Sequence, residues 1–228
     1  MLEIYEDWLS VESADRYDRM HRIGEGAFGE VRLGRCRRTG KEVALKSVHL
    51  PVNTESLPKA VFREMESLRQ LSSPNVISLL AVYPEETNIV LVLEHASTDL
   101  GSIISAARQY LDRKFIRQTA LMVINGLRHC HGAGVLHRDI KPSNVLITKG
   151  GIAKLGDFGL ARLYNPKDGR SMSHQVATRW YRAPELLFAA RHYTPAVDVW
   201  SAGAAAPMLS VDLTHRAYIS IYYRSNIC

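Results

Sequence analysis

The apolar residues of this chain change period part way along, and that change limits the fold more than any other feature. Residues 31–35 and 42–48 alternate and residues 89–93 form a short apolar run, which are strand patterns. Between them, residues 58–71 place Val61, Met65, Leu68 and Leu71 on one helical face, with Pro58 suited to a first turn. After a polar connector at residues 94–99, residues 114–133 repeat Phe115, Ala120, Leu121, Val123, Ile124 and Leu127 near the helical period. Strand-rich and helix-rich segments are therefore segregated, which predicts an α+β fold rather than alternating βαβ units. No internal repeat or low-complexity segment interrupts the pattern.

With 228 residues, 46% of them hydrophobic, the chain can bury one large domain or two small lobes. The formal net charge of +6 comes with a local cluster at Arg35, Arg37 and Arg38. No nucleic-acid motif accompanies that cluster, so it reads as a solvated basic face and no specific nucleic acid is expected. Cys36, Cys130 and Cys228 lack metal-ligand spacing and leave an odd thiol, as in a reducing compartment. Residues 1–16 form an acidic extension without the basic lead and apolar run of a signal peptide. No stretch is apolar enough to cross a bilayer, so the expected location is cytoplasm, nucleus or both, without membrane insertion.

The polar motifs follow one another in a fixed order. Gly24-Glu25-Gly26-Ala27-Phe28-Gly29-Glu30-Val31 would let a hairpin bring its backbone close to phosphate oxygens, although glycines serving ordinary turn geometry would look the same. Val43-Ala44-Leu45-Lys46 puts a lysine on the following strand, where it could equally reach water. Then come His137-Arg138-Asp139-Ile140-Lys141-Pro142-Ser143-Asn144, Asp157-Phe158-Gly159 and Ala183-Pro184-Glu185. Taken singly, Asp139 or Asp157 would be a turn or capping carboxylate.

Together and in this order, the motifs resemble a eukaryotic protein kinase, and over residues 17–203 the resemblance narrows to the cyclin-dependent kinase family, closest to its cell cycle-related kinase branch. The resemblance implies a bilobal fold, with a strand-rich N-lobe at about 17–93, a hinge at about 94–99 and a mainly helical C-lobe at about 100–203. It implies an ATP-dependent, magnesium-requiring serine/threonine protein kinase. In that family's terms Asp139 is the catalytic base, Lys141 neutralises the transferring phosphoryl group, and Lys46 grips phosphate with Glu64 as its ion-pair partner. Asn144 and Asp157 hold magnesium. Gly24, Glu25, Gly26, Ala27, Phe28 and Gly29 cover the phosphates, Val31, Ala44 and Leu146 sandwich the adenine, Leu93 is the gatekeeper, and Glu94, His95 and Ala96 offer hinge backbone.

Further details carry over from the same resemblance. Residues 58–64 stand where the family has its cyclin-facing helix, implying a cyclin or cyclin-like activator. Ser173 stands at the activating phosphosite, with Arg63, Arg138 and Arg162 placed to converge on its phosphate, which implies an upstream activating kinase. Ala27-Phe28 has no hydroxyl where relatives carry an inhibitory Thr-Tyr pair. Ala177 and Arg182 match the platform that favours proline after the target residue, implying Ser/Thr-Pro substrates. The resemblance stops at about residue 203: residues 204–228 diverge, Pro207 would interrupt the helix, and the arginine expected to pair with Glu185 has no counterpart. The expectation is thus a C-terminally truncated kinase domain, with a catalytically impaired chain that binds nucleotide or a partner as the alternative.

Overall fold

Strand β3 (Glu42–His49) shows how the sequence pattern becomes structure: with period 2, Val43 and Leu45 point to one face of the sheet and Ala44, Lys46 and Val48 to the other. In the computed structural model, which describes residues 14–26, 29–49, 59–85, 88–107, 111–167 and 169–206, β3 is the middle strand of a five-stranded antiparallel sheet. Its companions are β1 (Tyr17–Gly26), β2 (Gly29–Cys36), β4 (Leu79–Glu85) and β5 (Asn88–Glu94), in the order β1-β2-β3-β5-β4. A middle strand is covered on both faces, so β3 buries an unbroken run from Val43 to Lys46, and Val48 after it. One face packs Tyr17, Val43, Leu45, Tyr83, Val90 and Val92 together. The other packs Val48, Val82, Ile89 and Leu91 against Val61 and Met65 of helix α1 (Lys59–Arg69), so the helical face read from the sequence is the face that is buried. Pro58, Ala27, Phe28 and the divergent segment from Pro207 lie outside the described residues.

The second half runs β6 (Thr98–Asp99), α2 (Leu100–Ala106), α3 (Arg113–Gly132), β7 (Val135–Leu136), β8 (Val145–Ile147), β9 (Ala153–Leu155), β10 (Arg162–Leu163), α4 (Pro184–Leu187) and α5 (Ala196–Ala205). Asp112 caps α3 by accepting from the Phe115 N–H at 3.2 Å. The expected mainly helical C-lobe is interrupted by two small sheets, β6-β8-β9 and β10-β7, whose two- and three-residue strands are too short to show a period. A core of Leu127, Cys130, Val135, Ile140, Val145, Leu155 and Phe158 joins these pieces to Leu68 and Leu71 at the end of α1. Ion pairs across the connector hold the halves in place: Glu42 of β3 meets Lys149 at 2.9 Å, and Glu94 meets Lys154 of β9 at 3.0 Å.

One expectation changes on this side. Leu121 and Ile124 of the α3 stripe are 51% and 56% exposed, because α3 turns Thr119, Gly126, Leu127 and Cys130 inward instead. Ile124 stands at the rim of an open apolar cavity of about 480 Å³ between α3 and α5, with Val199, Ala202 and Gly203 on its far wall. Glu185, for which the family's pairing arginine has no counterpart in the sequence, is only partly buried and makes no ion pair among the described residues, so water reaches its carboxylate. Helix α5 ends at Ala205, just short of Pro207.

Candidate active site

A cavity of about 440 Å³ opens between the five-stranded sheet and the second half, and most of the sequence-predicted residues meet there. Gly24, Glu25, Val31, Ala44 and Leu93 line its sheet side, Glu94, His95 and Ala96 its back edge, and Asn144, Leu146 and Asp157 its floor. Asp99 of the connector and Ser143 of the Asp139 motif also line it, as do Ile23, Ile77 and Gly156, which no sequence motif singled out. Gly26 pairs with Gly29 at the hairpin end. Within this turn the fold requires glycine at Gly29, where a Cβ would lie 1.9 Å from the Ser47 carbonyl oxygen, whereas at Gly24 it would make ordinary contact with Val31.

Lys46 reaches this cavity because β2 and β3 place it beside Val31, and β3 and β5 place it beside Leu91. Its Nζ donates to both carboxylate oxygens of Glu64, at 2.8 and 2.7 Å, and lies 3.7 Å from Asp157 Oδ1. Burial alone would drive the ammonium to lose its proton, but the Glu64 and Asp157 carboxylates outweigh it and hold the Lys46 pKa above its ordinary value. Burial pushes the Glu64 carboxyl up while Lys46 pulls it back. The two short contacts from the Lys46 ammonium to the Glu64 oxygens are those of an ion pair.

The loop after β7 is held from below by Asp198 of α5, whose buried carboxylate accepts the His137 N–H at 2.9 Å and the Arg138 N–H at 2.7 Å and meets His131 Nε2 at 2.9 Å. Arg138 takes a left-handed backbone, φ 66°, at the bend that presents Asp139. Asp139 Oδ1 accepts from the N–H and the hydroxyl of Thr178, both at 2.9 Å. Its Oδ2 meets Lys141 Nζ at 2.7 Å and Asn144 Nδ2 at 3.0 Å. Burial opposes ionisation of Asp139 more than any other single effect, yet the Lys141 and Thr178 donors together win, and its carboxyl titrates below the usual range. It is therefore a carboxylate at neutral pH. Asn144 spends its amide N–H groups on Asp139, leaving its carbonyl oxygen for a cation. Asp157, also left-handed at φ 57°, has a side chain 53% exposed and facing the same cavity. These two oxygen donors fit a magnesium ion that draws its remaining ligands from phosphate and water.

Around Ser173 the arrangement is partly the one expected. Ser173 is exposed, and its carbonyl accepts the Tyr193 hydroxyl at 2.6 Å, which in turn accepts from Arg138 Nη1 at 3.0 Å. Arg162 Nη1 donates to the Ser171 carbonyl at 3.2 Å. Arg63 makes no hydrogen bond or ion pair among the described residues, although α1 packs against β10, which carries Arg162. Arg182 donates to the carbonyls of Val176 and Ala177, both at 2.9 Å, and so holds Ala177 in its left-handed conformation, φ 62°.

The family model described as "Protein kinase domain" matches residues 17–214. Cyclin-dependent kinase D-1 of Arabidopsis thaliana is 42% identical over 190 residues, covering 83% of this chain and 48% of that protein. Cyclin-dependent kinase 20 is 42% identical in Danio rerio and 41% in Homo sapiens, each over 83% of this chain and 55% of the relative. The chain thus spans about half the length of the curated relatives it matches.

Proposed function

The chain belongs to the protein kinase family, and from that premise we propose that it transfers the γ-phosphoryl group of magnesium-bound ATP to serine or threonine hydroxyls of proteins. The observation that carries the reading is two sets of charges brought to one cavity: Lys46 on Glu64 beside Asp157, and Asp139 bonded to Lys141, Thr178 and Asn144, the last of which lines the cavity with Lys46 and Asp157. Phosphoryl transfer asks for positioning and charge neutralisation more than covalent chemistry. ATP and magnesium supply the transferable group and its charge screen. Lys46 would bind phosphate oxygens, Asn144 and Asp157 would hold the metal, and Asp139 would accept the substrate hydroxyl's proton while Lys141 would neutralise charge on the transferring phosphoryl group. The turn fixed by Arg182 at Ala177 supports a preference for proline after the target residue. A cyclin-like activator on α1, an activating kinase acting on Ser173, and a cytoplasmic or nuclear site of action complete the reading.

The open apolar cavity between α3 and α5 favours a second reading, in which this chain binds nucleotide or a partner without turnover. Purified chain should be given magnesium-ATP and a Ser-Pro peptide, with Asp157→Asn as control. Peptide phosphorylation that the variant loses supports the first reading. A nucleotide-dependent rise in melting temperature without peptide phosphorylation supports the second, and equal signal from both proteins would mean a contaminating kinase.

A further inference from the structure

We propose that Tyr193 is a positioning residue: its hydroxyl docks the segment at Ser171–Ser173 onto Arg138 before any phosphate is present, and a phosphate on Ser173 takes over that task. The second half of the proposal rests on the reading of Ser173 as a phosphosite; the first half does not.

The ring of Tyr193 is 6% exposed and packs among Leu136, Met172, Val176 and Val197, so its tip has little freedom. A phenol has one proton. Arg138 Nη1 can only donate, so the Tyr193 proton points at the Ser173 carbonyl, and the three groups form a relay from guanidinium to hydroxyl to carbonyl. Each bond in such a relay polarises the next. The start of the relay is fixed as well: Arg138 Nε donates to the Leu160 carbonyl at 2.8 Å, and its backbone N–H is tied to Asp198. Just before Ser173, the Ser171 carbonyl accepts from Arg162 and the Met172 N–H donates to the Arg191 carbonyl at 2.7 Å. Three successive residues are thus docked with no anion involved, while the Ser173 side chain stays exposed.

The hand-over follows from charge. Among the described residues, no carboxylate pairs with the guanidinium of Arg138 or of Arg162. A neutral phenol oxygen is a weaker acceptor for a guanidinium than a phosphate bearing nearly two negative charges. Once Ser173 carries that phosphate, Arg138 gains the stronger partner and the segment no longer depends on the Tyr193 hydroxyl.

The test compares wild type with Tyr193→Phe, each with serine or with site-specifically incorporated phosphoserine at position 173, by amide hydrogen exchange. In the unphosphorylated protein the variant should exchange about tenfold faster across residues 171–176, the effect of one lost hydrogen bond. Residues 113–132 should be unchanged. With phosphoserine, the variant should return to roughly within twofold of wild type, a rescue that a purely packing role would not give. Unchanged exchange in the unphosphorylated variant, or no recovery with phosphoserine, overturns the proposal. If α3 exchange also rises, a 4-aminophenylalanine at position 193, which keeps a donor at the ring tip, must restore protection at 171–176; failure to do so overturns it too. Neither arm requires turnover, so an inactive wild-type chain would sink the proposed function and leave this inference standing.

Discussion

Removing the charge from Glu64 tests the electrostatic frame of the site. At an effective dielectric constant near 20, a carboxylate 2.7 Å from an ammonium contributes about 6 kcal/mol of attraction before desolvation is subtracted. In Glu64→Gln, Lys46 stays buried with its side chain only 10% exposed, and its remaining counter-ion is Asp157 at 3.7 Å. Asp157 is half in water, so screening leaves it worth about 1 kcal/mol. One-sided loss of a buried pair costs about 3–5 kcal/mol, and the residual help from Asp157 places Glu64→Gln in the lower half of that range. Lys46→Met should cost a similar amount at pH 8, shrinking as pH falls, because the stranded Glu64 carboxyl can take up a proton. The double variant Lys46→Met/Glu64→Gln removes both charges from the interior and should recover much of the loss. Urea unfolding at pH 8 without nucleotide, followed by far-ultraviolet circular dichroism, gives all four corners of the cycle. A double variant as unstable as the sum of the two singles would refute the reasoning, as would a Glu64→Gln cost below about 1 kcal/mol.

Gly126→Ala should lower the melting temperature even though alanine gains about 1 kcal/mol of helix propensity over glycine, because the new Cβ would lie 2.6 Å from the Asn75 carbonyl oxygen; a higher melting temperature would show that the turn at Asn75 and the helix can part. Since the folded pKa of Asp139 is depressed, its contribution to stability is present above the unfolded value of about 3.9 and is lost only as pH falls through the lower folded value. The stability gap between wild type and Asp139→Asn should therefore hold from pH 8 to 5 and narrow only below about 4, and narrowing already between pH 7 and 5 would contradict the assignment. In a Cys228→Ser background, iodoacetamide at pH 7.5 should modify Cys36, whose thiol is drawn below its ordinary pKa by the Thr39 hydroxyl and neighbouring backbone N–H groups. Cys130, which burial pushes up to about 12, should react only on unfolding; mass spectrometry showing Cys130 labelled first would reverse the order.

What could be read from the sequence was whatever is written locally. The alternation of β3 put Lys46 on the face of Ala44 and Val48, and the α1 stripe at Val61 and Met65 put Glu64 within reach of it. The glycine turn, the Asp139 loop and Asp157 are short motifs whose residues are neighbours in the chain as well as in space. Thr178, Tyr193 and Asp198 were not legible in the same way, because each acts on a backbone or carboxylate group 20 to 60 residues away. A hydroxyl or carboxylate on its own carries no sign of such a partner. The exposed side of α3 escaped for a related reason: periodicity reports an apolar stripe, not which of its members find something to cover them.

The partner of Asp198 ties these observations together. The bend that presents Asp139 is held by a carboxylate on α5, through the N–H groups of His137 and Arg138. The same helix supplies Val199, Ala202 and Gly203 to the wall of the open apolar cavity, where Ile124 of α3 stands uncovered. Helix α5 therefore serves two masters, a polar face fixing the catalytic loop and an apolar face with vacant space beside it. A helix with such a gap along one side loses packing contacts there and opens more readily than one packed on both. Opening at α5 withdraws Asp198 from two buried backbone donors, and each donor left unsatisfied costs about 1–3 kcal/mol. Filling the cavity would therefore stiffen the loop that carries Asp139, from both sides, because Ile140 and Pro142 of that loop line the cavity along with α5.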